Sequence, residues 1–157
     1  MVSQRAAHLV EQLREASDAL IRLVERIPAT QWGHVTTPGE WSPGKEAEHV
    51  ADGNALHQWV VRSTLRQQTG IRPVVERARL TAQLAQPEVI KLLRQRALES
   101  SGLVEPLTDE QLALPCRTRT LGAFIERVLI GHLRTHQAVI ERKLRRAKWA
   151  RCCEIES

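Results

Sequence analysis

Residues 120–149 read TLGAFIERVLIGHLRTHQAVIERKLRRAKW, and this stretch decides the fold class. Leu121, Phe124, Ile125, Val128 and Leu129 recur at helical spacing, and Val139, Ile140 and Leu144 continue the stripe. One helix from near Thr120 to about Trp149 is predicted, the longest in the chain. Within it Ile125, Leu129, His132, His136 and Val139 follow gaps of four, three, four and three. Two histidines thus interrupt an apolar stripe and are predicted to point inward.

The same rhythm appears upstream. Leu9, Leu13, Ala16, Leu20, Leu23 and Ile27 mark a first helix over about Ser3–Ile27, stopped by Pro28. A loop with Trp32 and Trp41 follows. Ser42 is a candidate N-cap and Pro43 a candidate first helical residue, where its missing N–H costs nothing. A second helix is predicted from there to about Gln68, with Gly70 as its stop. A third starts near Pro87 and reaches about Val104. Residues 70–86 read as a long connection with room for a short helix. Thr108 caps a short turn that Pro115 ends.

Four long helices in one domain point to an all-α four-helix bundle spanning residues 1–151, with 152–157 as a frayed tail. The long 70–86 linker permits a crossover that leaves the second and third helices parallel. A length of 157 residues with 42% apolar content supports one real core and excludes a wholly disordered chain. No apolar run is long enough to span a bilayer, and Met1–His8 holds no signal-peptide core. No membrane association and a cytoplasmic location are therefore expected. Cys116, Cys152 and Cys153 lack Cys-x-x-Cys spacing and read as free thiols, Cys116 as a packed or exposed one.

From Glu141 to Arg151 there are six basic residues and one acid, an excess equal to the +5 of the whole chain. Such a helix end reads as a solvated face complementing the negative helix C-terminus. Without aromatic platforms or a reading motif, nucleic-acid binding is not expected.

His132 and His136, one turn apart, are half of a potential metal site. His49 of the second helix shares a side with Leu56 and Val60 and is the candidate third donor. His57 is its competitor on the same helix. His8, His34 and His57 read as surface or loop histidines. Asp52 lies on roughly the same face as His49, where it can orient an imidazole or serve as a base. Glu46 and Glu48 read as solvated acids. Trp41 reads as an anchor at the bundle end, and Trp32 and Trp59 as packing residues.

Trp41-Ser42-Pro43 opening a helix, His49 shortly after, and His132-x-x-x-His136 late in the last helix resemble the DinB superfamily. That superfamily includes thiol transferases and mycothiol-dependent maleylpyruvate isomerases. The resemblance covers nearly the whole chain. It implies a four-helix bundle with a crossover between the second and third helices, and a divalent metal on His49, His132 and His136. It also implies a homodimer. The donor set does not distinguish nickel, zinc, manganese or iron.

Two functions are expected on this basis. One is a metal-dependent enzyme acting on a small-molecule substrate, either a transferase using a low-molecular-weight thiol or a hydrolase. The other is a non-catalytic dimeric binding or stress-response bundle whose histidines are structural.

Overall fold

The computed structural model describes residues 3–155. Helix α1 spans Gln4–Glu25, the short α2 Ala29–Trp32, α3 Pro43–Thr64 and α4 Gln86–Val104. A single turn, α5 (Asp109–Leu112), precedes two-residue strands β1 (Pro115–Cys116) and β2 (Arg119–Thr120). The last rod begins as α6 (Leu121–Phe124), passes through a π-helical segment at Ile125–Ile130 and continues as α7 (Gly131–Ile155). The fold is all-α in character, as expected.

The caps explain where the rods begin. Ser3 Oγ accepts from Ala6 N at 3.1 Å, and Ser42 Oγ accepts from Lys45 N at 3.2 Å with Pro43 in the first turn. Thr108 and Thr120 cap α5 and α6 in the same way.

Helix α1 packs on α4 and α7, and α3 packs on the same two. The contacts fix the directions. Glu48 meets Gln83 and Leu84 while Gln58 meets Arg96 and Ser100, so α3 and α4 run parallel. Glu46 pairs with His136, and further along α3 Gly53 abuts His132, so α3 and the last rod are antiparallel. The crossover topology is thus present. The core lies between the four rods, with Leu13, Leu20 and Val24 meeting Val50, Val61, Val89, Ile125, Leu129 and Ile140.

The connection over 65–85 contains no helix, contrary to the room allowed for one. It is held by side chains instead. Lys45, fully buried, reaches Glu48 at 3.3 Å and Glu76 at 2.9 Å. Glu48 accepts from Gln83 N and Leu84 N, Trp41 donates to Arg77 O, and Trp32 donates to Leu84 O.

Other boundaries also differ from expectation. α3 stops at Thr64, not Gln68, because Arg66 turns left-handed at φ 56°, a role that glycine usually takes. α2 follows Pro28 where a plain loop was expected. A β1–β2 hairpin turns at Arg117, φ 55°, without any glycine or asparagine to announce it. α7 runs on to Ile155, beyond Trp149 and into the segment read as a frayed tail; Glu156 and Ser157 lie outside the described residues. No helix among the described residues is long and apolar enough to cross a membrane.

Candidate metal centre

His49 projects from α3 about two turns after the Ser42–Pro43 start, and His132 and His136 project from α7. Antiparallel packing brings the three together, and one nitrogen from each lies within 4.8 Å of the others. The Nε2 atoms of His49 and His132 are 3.2 Å apart. Ring centroids are separated by 5.1 Å (His49–His132), 4.8 Å (His49–His136) and 4.5 Å (His132–His136). Two imidazoles sharing one ion at about 2.1 Å each place their nitrogens roughly 3.0–3.4 Å apart. The His49–His132 spacing meets that requirement.

The π-helical segment ends immediately before Gly131-His132. Leu129, Ile130 and Leu133 are all buried beside the histidine stripe, on one helical face. On the facing helix Gly53 leaves a notch. A Cβ there would lie 2.5 Å from Cε1 of His132. The absent side chain is what admits the imidazole.

Glu46 accepts from Nδ1 of His136 at 2.7 Å, which leaves Nε2 of that ring for a ligand. Its other oxygen pairs with Lys143 Nζ at 2.9 Å, and Lys143 also donates to Trp41 O. Glu46 and Lys143 are 5% and 7% exposed, so this pair belongs to the interior. Burial alone would raise the Glu46 carboxyl, but hydrogen bonds from His136 and Lys143, with their charges, hold it below its usual value. Trp41 forms a wall, its ring 4.8 Å from that of His49. Trp41, Glu46, His136 and Lys143 line an open cleft of about 350 Å³.

Burial and then the neighbouring His136 lower His49 to about 4; the same two causes, in that order, lower His132 to about 3. Both rings are therefore neutral and carry a lone pair at neutral pH, the form an ion requires. Their outer Nδ1 atoms have no partner among the described residues, so His136 is the ring whose orientation a carboxylate fixes. These residues fit a divalent ion.

A family model for the DinB superfamily matches residues 12–140. The chain belongs to the DinB superfamily. No curated protein and no solved structure matches it.

Several expectations change in this DinB-superfamily chain. Glu46 and Glu48 are not solvated acids: both are 5% exposed, one bound to His136 and Lys143, the other to Lys45 and two crossover amides. Asp52 makes no hydrogen bond to the three rings among the described residues; the carboxylate that orients an imidazole is Glu46. Burial and nearby Glu48 raise the Asp52 carboxyl.

His57 is not a surface histidine. Its ring stands edge-on to His132 at 5.0 Å and to Phe124 at 5.9 Å, and burial lowers it to about 4. His8 and His34 are exposed, as expected. Cys116 is packed, 2% exposed, and its sulfur accepts from Thr64 Oγ1. Trp32 and Trp59 pack against the core. The side chains of Cys152 and Cys153 lie outside the described residues. Lys143, read as part of a solvated basic face, is buried at the site.

Proposed function

We propose that this chain is a cytoplasmic divalent-metal-dependent enzyme, a transferase using a low-molecular-weight thiol or a hydrolase, acting on a small molecule. The observation that carries the reading is the convergence of three imidazoles, two with Nε2 atoms 3.2 Å apart, beside an open cleft. His49, His132 and His136 would hold the ion. When bound, it would supply the positive charge that turns a coordinated thiol or water toward its anion near neutral pH.

The chain's own residues prepare that site. Glu46 holds His136 in one tautomer and orientation. Lys143 fixes Glu46 and balances its buried charge. Trp41 shields His49 from solvent on one side and leaves the His136 side open to the cleft. The homodimer implied by the family is part of the proposal.

The test is a turnover screen of metal-loaded protein. One arm offers a small thiol with electrophilic acceptors, and the other offers ester and amide substrates. Turnover that disappears in His136→Ala supports the reading. No turnover in either arm, with metal shown to be bound, supports a non-catalytic bundle instead.

A further inference from the structure

Five of the six basic residues from Arg142 to Arg151 divide between two faces. Lys143 is committed to Glu46, and Arg146 reaches Glu40 at 3.8 Å. Arg145, Lys148 and Arg151 instead line a groove between α7 and α1, and Arg26 at the C-cap of α1 stands across from them. Leu23 and Leu144 supply its apolar part, and the cavity holds about 290 Å³.

Among the residues whose side chains the structure describes, a set that excludes Glu154, none of these four cations forms an ion pair. Glu25, next to Arg26, is taken by Arg94. Glu141, the acid lining the groove, accepts from Gln137. Glu141 sets one negative charge against four positive ones, so the groove keeps a net positive charge that a bound anion would balance. The helix dipole does not account for them. α7 continues to Ile155, so Arg145 and Lys148 lie about two turns or more before its end, beyond the last turn where the dipole acts.

We propose that the groove between α1 and the C-terminal half of α7 binds an organic phosphate. Guanidinium forks on two sides suit phosphate oxygens, and a phosphate monoester carries enough charge for several cations. Leu23 and Leu144 favour an organic body over the free inorganic ion. The site stands apart from the three histidines and does not depend on a metal there.

Binding of phenyl phosphate, inorganic phosphate and phenol to the full chain, by calorimetry, tests this. Phenyl phosphate is expected to bind more tightly than either fragment, and Arg26→Gln with Arg145→Gln weakens it by about tenfold or more. Arg142→Gln, outside the groove, leaves it unchanged. Unaltered melting temperatures establish that the variants are folded. Co-sedimentation with phosphatidate vesicles that is lost in the double variant would identify a lipid headgroup as the source of the phosphate. Retention of phenyl phosphate binding without such sedimentation points to a soluble ester. Equal affinity for phenyl and inorganic phosphate, or insensitivity to the double variant, overturns the proposal. So does binding of a short DNA duplex alone, weakened equally by Arg142→Gln.

Discussion

Glu46 of α3 accepts a hydrogen bond from Nδ1 of His136 on α7 at 2.7 Å, in a contact spanning 90 positions of sequence. It sets the ring, and it depends in turn on Lys143 to balance the buried charge. In Glu46→Gln the amide oxygen can still accept from His136, but Lys143 loses its anion. Metal affinity is expected to fall by about 10- to 100-fold. Stability falls by about 3 kcal/mol for the stranded ammonium. The double variant Glu46→Gln/Lys143→Met regains stability without regaining affinity. Thermal unfolding and metal titration on the same samples check both halves.

Gly53 sits where a methyl group would strike His132, its Cβ 2.5 Å from Cε1. Alanine is favoured over glycine in a helix interior by about 1 kcal/mol. Were the notch merely accidental, Gly53→Ala would stabilise the protein. The expected outcome is the opposite: no gain in melting temperature, and metal binding weakened by about tenfold or more because His132 is displaced. A more stable variant with unchanged affinity would show that the notch at Gly53 plays no part in seating His132.

Metal-free protein is expected to be sensitive to mild acid. Burial, followed by neighbouring charge, holds His49 and His57 at about 4 and His132 at about 3. In the unfolded chain these rings titrate near 6.5. Between about pH 6.5 and 4 the unfolded chain therefore binds more protons, so stability falls as pH falls through that window. Above it the contribution is complete. Urea midpoints of chelator-treated protein from about pH 7.5 down to pH 5 should decline, and His132→Gln should flatten the curve. A flat wild-type profile would contradict burial of neutral rings.

Lys45, wholly buried, joins α3 to the crossover through Glu48 and Glu76. Lys45→Met leaves Glu48 buried with its two backbone donors but without a cation. A loss of about 3 kcal/mol is expected. Limited proteolysis should then cut faster within residues 65–85. Unchanged cleavage there would mean that the tryptophan hydrogen bonds to Arg77 and Leu84 suffice to hold the segment.

Much of this was legible from local pattern. The stripes of α1 and α7, the Ser42–Pro43 start and the inward spacing of His132 and His136 depend on neighbours a turn apart, so periodicity exposes them. The left-handed Arg66 and Arg117 were not legible, because non-glycine residues carry no local mark of that conformation. Nor was the π-helical segment, whose residues read as an ordinary helix. Burial of Glu46 and Lys143 is not legible from local pattern, because burial of a charge depends on a partner far away in sequence. A signal did exist: Glu46 precedes His49 by three residues, and Lys143 follows His136 by seven, so each shares a helical face with a proposed ligand. Gly53, four residues after His49, sits on that same face.

His49, His132 and His136 are expected to hold one divalent ion together. The most direct measurement is metal content by plasma mass spectrometry of tag-free protein, wild type beside His49→Ala, His132→Ala and His136→Ala. Near-stoichiometric metal is expected in the wild type, and its loss in each variant. Wild-type protein that stays empty after reconstitution with nickel, zinc, manganese and iron, or a His132→Ala variant that keeps its metal, would contradict it.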